Sequence, residues 1–151
     1  MKHLLILCTG NSCRSQMAEA FARRVLPADV AVYSAGIEKH GLNPFMLRVM
    51  EEAGCDMQGH FSKTVDELPA VPWDAVVTVC GHAAENCPYL EAKRHVHLPF
   101  DDPPALSRGM QDEAEVLAVY RRVRDEIAAA MAGYEAWLPD FVEGGSAAGS
   151  L

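Results

Sequence analysis

The feature that most restricts the fold is a junction near the N-terminus. The apolar run Leu4-Leu5-Ile6-Leu7 breaks at Cys8-Thr9-Gly10-Asn11-Ser12-Cys13-Arg14-Ser15, and a helical pattern from Gln16 to Leu26 follows at once. This reads as a buried strand, a turn and a helix N-terminus. Such a turn suits an anion, because the first N–H groups of a helix lack intrahelical partners and the macrodipole adds partial positive charge. Gly10 lets the backbone curl close to a ligand, and the Arg14 guanidinium can fork onto two oxygens of a tetrahedral oxyanion. The same positive field favours the thiolate of Cys8, which is the nucleophilic form. Ser15 can donate a hydrogen bond to that thiolate. Cys8 is therefore the candidate nucleophile, and Thr9, Gly10, Asn11, Ser12, Cys13 and Arg14 are the candidate oxyanion cradle.

Apolar runs of strand length alternate with helical patterns along the rest of the chain. Strands are expected at about 3–8, 30–34, 75–80 and 95–98, and the first helix at 14–26 with Met17, Phe21 and Val25 on its buried face. A second helix is capped by Asn43-Pro44 and stopped at Gly54, and Thr64 to Glu67 fits a capping box for a short turn. A long closing helix runs from 112 to 138, with Arg121 and Asp125 spaced to pair. The expectation is an α/β fold of one domain, 1–140, with a four-stranded parallel sheet and helices on both faces. The Gly- and Ser-rich stretch 141–151 reads as a disordered tail. The loops after Leu7 and after Leu98 would then carry the chemistry at the carboxyl edge of the sheet.

Composition narrows the function. A net charge of −8 argues against nucleic acid and against an anionic membrane surface. No apolar run approaches the roughly 20 residues that span a bilayer, and no signal-peptide pattern precedes the first strand, so a cytoplasmic location is expected. An acidic chain repels an oxyanion, so attraction has to be local. Five cysteines in such a chain point to catalysis before structural disulfides. The histidines have no metal-ligand spacing, and no metal site is expected.

The string CTGNSCRSQMAE, with YSAGIE at 33–38, HGLNP at 40–44, VVTVCG at 76–81, Asn86-Cys87-Pro88, FDDP at 100–103 and RVRDEI at 122–127, resembles the thioredoxin-coupled arsenate reductases of the low-molecular-weight tyrosine phosphatase fold. That resemblance implies arsenate as substrate and reduced thioredoxin as electron donor, with no tightly bound cofactor and a monomer as the working form. It gives Cys8 the attack on arsenic, Asp102 the role of general acid because it directly precedes a proline, and Cys80 and Cys87 the later steps of a thiol relay. The alternative is a low-molecular-weight protein tyrosine phosphatase. Against it, Pro104 stands where such phosphatases carry a pocket tyrosine. Cys13 and Cys55 read as packing residues.

The resemblance also implies loop support. Some relatives hold potassium through residues matching Asn11, Glu19 and Ser34, plus a threonine and an aspartate on the segment that here reads His60-Phe61-Ser62-Lys63. Phe61 and Lys63 replace those two, so the Lys63 ammonium is expected to take the place of potassium, pairing with Glu19 and holding the loop through Asn11. Finally, Cys80 and Cys87 on a regular helix would stand about 10 Å apart along the axis, whereas a disulfide needs Cα atoms within about 7 Å. Any helix at 81–87 must open when the two oxidise.

Overall fold

The computed structural model describes residues 1–79 and 90–141. Cys80, Cys87, the 81–87 segment and most of the expected tail, 142–151, lie outside the described residues.

Strand β1, Lys2–Cys8, runs at the centre of the sheet because its residues are apolar on both faces. Leu4, Ile6 and Cys8 face the larger hydrophobic cluster, and Leu5 and Leu7 face a smaller one with Ala35 and Val76. Helix α1, Arg14–Val25, leads to β2, Val30–Gly36, which pairs with β1 in parallel from Lys2 opposite Val30 to Cys8 opposite Gly36. Helix α2 is Pro44–Glu52, β3 is Ala75–Thr78 and β4 is His95–His97. A one-turn helix α3, Pro103–Leu106, and the long α4, Glu113–Ala132, complete the order. The four parallel strands lie in the order β2-β1-β3-β4. Strand order reverses between β1 and β3, and in open α/β sheets ligands bind at the carboxyl edge of such a switch point.

The larger cluster packs α1, α2 and α4 on one face. On the other face the described residues Val65, Leu68 and Trp73 cover the sheet, and a 3-10 turn at Val65–Glu67 carries the expected box, with Thr64 N–H donating to Glu67 Oε2 at 2.8 Å. Asn43 caps α2 by accepting from the N–H groups of Phe45 and Met46 at 2.9 and 3.1 Å. Gly54 follows at φ 77°, a backbone that favours glycine and ends the helix.

Four expectations change. Val25 is 36 % exposed, and the buried face of α1 runs instead through Met17, Ala18, Phe21 and Ala22. The closing helix stops at Ala132; Gly133 follows, and Tyr134–Ala136 and Pro139–Phe141 are separate 3-10 turns, since glycine loosens the helix and proline cannot continue it. Phe141, placed at the start of the tail by sequence, is buried in the core. Arg121 does not pair with Asp125 but forks onto both carboxylate oxygens of Glu52 in α2, at 2.9 and 2.7 Å, a better fit to its planar donors.

Candidate active site

β1 ends at Cys8 and α1 begins at Arg14, so the loop between them lies at that carboxyl edge. Its carbonyls are all engaged. Thr9 O accepts from Glu38 N–H and Gly10 O from His40 N–H, both at 3.0 Å, and Ser62 Oγ also donates to Gly10 O at 2.9 Å. Asn11 O accepts from Gln16 Nε2 at 3.2 Å, Ser12 O from Asn43 N–H and Cys13 O from Met17 N–H, both at 3.0 Å. In a trans peptide the N–H points opposite its C=O. The N–H groups of Gly10, Asn11, Ser12, Cys13 and Arg14 are therefore turned away from these partners, and among the described residues none has a backbone acceptor. A cleft of about 700 Å³ opens over the loop, lined by Cys8, Thr9, Gly10, Ser12, Cys13 and Arg14. Packing explains two glycines. A Cβ on Gly10 would come within 2.3 Å of His40 Nδ1, and one on Gly36 within 2.4 Å of Glu38 O and 2.8 Å of Asn11 N.

Asn11 holds the loop from behind. It sits at φ 49°, a left-handed backbone that asparagine tolerates better than most residues, and it is fully buried. Its Nδ2 donates to Ser15 Oγ at 2.8 Å and Ser34 Oγ at 3.0 Å, while Oδ1 accepts from Gln16 Nε2 at 2.9 Å and from Lys63 N–H at 3.0 Å. All four hydrogen-bonding positions of the amide are filled. The chain continues outward: Ser34 Oγ donates to Glu19 Oε1 at 2.5 Å, and Arg23 Nε donates to Glu19 Oε2 at 3.0 Å.

Lys63 stands near Glu19 as expected, but reaches Asn11 by a different group. Its backbone N–H, not its ammonium, reaches Asn11, and Nζ stands 3.9 Å from Glu19 Oε1 while donating to Phe61 O at 3.2 Å. Burial pulls the ammonium below its ordinary pKa, with Glu19 opposing. Potassium does not fit these residues. The Asn11 oxygen is saturated by two donors, the Ser34 hydroxyl is committed to Glu19, and an ammonium stands beside that carboxylate.

The opposite wall is the loop after β4. Arg14 Nη1 donates to Phe100 O at 3.1 Å, and Nη2 lies 3.6 Å from Asp102 Oδ1. The Asp102 side chain is 41 % exposed to the cleft side of the molecule, whereas Asp101 is drawn off to Arg122 at 3.1 Å. Of the two neighbours, only Asp102 lines the cleft. Cys13 lies in the loop but is held as a thiol: burial pushes its pKa up to about 12, Asp102 adds to the rise, and Arg14 opposes it. Cys55 is buried and accepts from Arg24 Nη2 at 3.2 Å, outside the cleft.

Several residues at the site escaped the sequence reading. His60, named above only as part of the segment 60–63, meets Gln16 Oε1 through Nδ1 at 2.9 Å and so supports the Asn11 network. Asn43 is visible in sequence only as a helix cap, yet its N–H holds Ser12 O and its Nδ2 donates to Tyr120 Oη at 3.0 Å. Arg108 lines the cleft from the turn after α3. No spacing rule links these positions to the loop, because each arrives from a different element.

Known proteins resemble this chain in sequence and fold. The family model described as low molecular weight phosphotyrosine protein phosphatase matches residues 3–140. An arsenate reductase of Halalkalibacterium halodurans is 50 % identical over 127 residues, 83 % of this chain and 89 % of the relative. One from Bacillus subtilis is 48 % identical over 128 residues, again 83 % and 89 %. Among solved structures, an arsenate reductase in its phosphate-binding state superposes with a TM-score of 0.74 at 29 % identity, covering 94 % of this chain and all of the other. The strand order, the Cys8–Arg14 loop at the switch point and these matches agree: the chain belongs to the low molecular weight phosphotyrosine protein phosphatase family and, within it, groups with the arsenate reductases.

Proposed function

We propose that this chain reduces arsenate to arsenite in the cytoplasm, working as a monomer with thioredoxin as the electron donor. The Cys8 thiolate attacks arsenic while Arg14 and the loop N–H groups hold the oxygens that gain charge. An As–O bond breaks, and Asp102 gives the leaving oxygen its proton. Ser15, whose oxygen accepts from Asn11, has its hydroxyl hydrogen left for the Cys8 sulfur. The Cys80 thiolate then attacks Cys8 Sγ, and the S–As electron pair passes to arsenic, so that As(V) leaves as As(III) and a Cys8–Cys80 disulfide remains. Cys87 attacks Cys80, freeing Cys8, and the thioredoxin dithiol reduces the Cys80–Cys87 bond.

The observation that carries this reading is the course of the chain beyond β3. Val79 N–H donates to Leu7 O at 2.9 Å, and Phe100 N–H donates to Val79 O at 3.0 Å. The residue before Cys80 thus lies alongside the residue before Cys8, with the acid loop on its other side. The relatives named arsenate reductase support the same chemistry.

The test is arsenite release with arsenate, thioredoxin, thioredoxin reductase and NADPH. Many turnovers in the wild type and about one in Cys87→Ser are expected. Steady hydrolysis of an aryl phosphate with no arsenite from either protein would favour the phosphatase reading, which the family model supports. Pro104 at the cleft wall is the observation against it.

A further inference from the structure

The cleft is asymmetric in charge. Its described lining carries two guanidinium groups, those of Arg14 and Arg108, and one carboxylate, that of Asp102. The Arg14 head is already committed, with Nη1 on Phe100 O and Nη2 at 3.6 Å from Asp102, so part of its charge is offset before any anion arrives. The chain as a whole carries −8, and the background field repels an oxyanion. Arg108 has no ion-pair partner among the described residues. It sits on a tight, anchored turn: Arg108 N–H donates to Ala105 O at 3.4 Å, Met110 N–H to Ser107 O at 3.0 Å, Ser107 Oγ to Pro103 O at 2.8 Å, and Gly109 takes φ 88°. An arginine on such a turn keeps its charge at the cleft mouth.

We infer that Arg108 is a second oxyanion contact, a specificity-determining residue at the cleft mouth that offsets the chain's negative field and sets affinity for tetrahedral dianions. Naming arsenate as that dianion rests on the function proposed above; the binding step does not. Arg14 holds the anion at the reacting position, and Arg108 draws it in and pairs with its outer oxygens. Because Arg108 is exposed, its effect falls as salt screens it over about 10 Å.

The test reads binding without turnover. The assay follows protection of Cys8 by inorganic phosphate against alkylation by iodoacetamide, with mass mapping of the modified peptide, in wild type, Arg108→Gln and Arg108→Lys. The half-protecting phosphate concentration is expected to rise about fivefold in Arg108→Gln at low salt and to differ by less than about twofold near 0.5 M salt. Arg108→Lys should keep most of the protection, and the melting temperature should not move in either variant. Coincident protection curves at low salt, or a difference that salt leaves intact, would overturn the inference. In arsenate turnover the change should fall on KM more than on kcat. Absence of arsenite in the wild type would sink the proposed function, while the protection curves would still decide the role of Arg108.

Discussion

The two walls of the cleft are built differently. In the nucleophile loop from Cys8 to Ser15, Cys8, Gly10, Asn11, Cys13 and Ser15 are buried, and each carbonyl from Thr9 to Cys13 has a donor. Behind it a polar chain runs Asn11–Ser34–Glu19–Arg23. The acid loop from Phe100 to Arg108 is anchored through its backbone turn but leaves Asp102 half-exposed and Arg108 exposed. A wall that must present several N–H groups to one charge cannot relax without losing them all, so preorganisation there is worth its buried polar groups. On the proposed mechanism the second wall delivers one proton and admits substrate, which needs exposure more than burial.

The largest effect should come from breaking the rigid wall. Asn11→Ala leaves Ser15, Ser34, Gln16 and the Lys63 N–H without a shared partner and puts alanine at a positive φ. Stability should drop by about 3 kcal/mol in chemical denaturation, and arsenite release by at least about a hundredfold. Asn11→Gly, which relieves the backbone but not the lost bonds, should recover only about 1 kcal/mol. Full recovery would show that backbone strain, not the network, is what matters.

On the open wall, Asp102→Asn should lower the rate of arsenite release by roughly a hundredfold, with little change in melting temperature. A comparable loss in Asp101→Asn would mean that the wrong neighbour has been assigned, since Asp101 is tied to Arg122.

A smaller, pH-dependent effect sharpens the contrast. Burial holds His60 below its ordinary pKa of 6.5, with Glu19 opposing. The folded state therefore takes up its proton only at lower pH than the unfolded chain does. Between the two pKa values the unfolded state binds more protons, and stability rises with pH. The wild-type melting temperature should fall as pH drops below about 6.5, and His60→Gln should flatten that slope. An equal slope in both proteins would remove His60 from the network.

The smallest effect belongs to potassium. With its would-be ligands saturated, rates and melting temperatures should match within error in potassium and in sodium. A clear gain specific to potassium would show that the Glu19–Lys63 pair at 3.9 Å opens to admit the ion.

Much of this was legible in the chain. The apolar run before Cys8 predicted β1, the alternation of strand and helix patterns predicted a parallel sheet, and Asn43-Pro44 and Thr64-x-x-Glu67 marked their helix starts, because these signals are local. Val25 and the Arg121–Asp125 pair were misread for one shared reason. Helical spacing says which residues share a face, but only packing of α1 and α4 against their neighbours says which face is covered and which partner offers the better oxygens.

The sequence by itself marked the strand–turn–helix junction, the loop from Cys8 to Arg14 and the alternation of strands and helices, since each follows from residue type and spacing over a few positions. Only the tertiary structure decided that Asn11 is the saturated hub, that Lys63 reaches it through its backbone N–H while its ammonium stands near Glu19, that Asp101 is drawn away, and that His60, Asn43 and Arg108 meet at the loop or line the cleft. Those facts depend on where side chains from distant elements meet, and burial makes a hydrogen bond obligatory without saying in advance which residue will supply it.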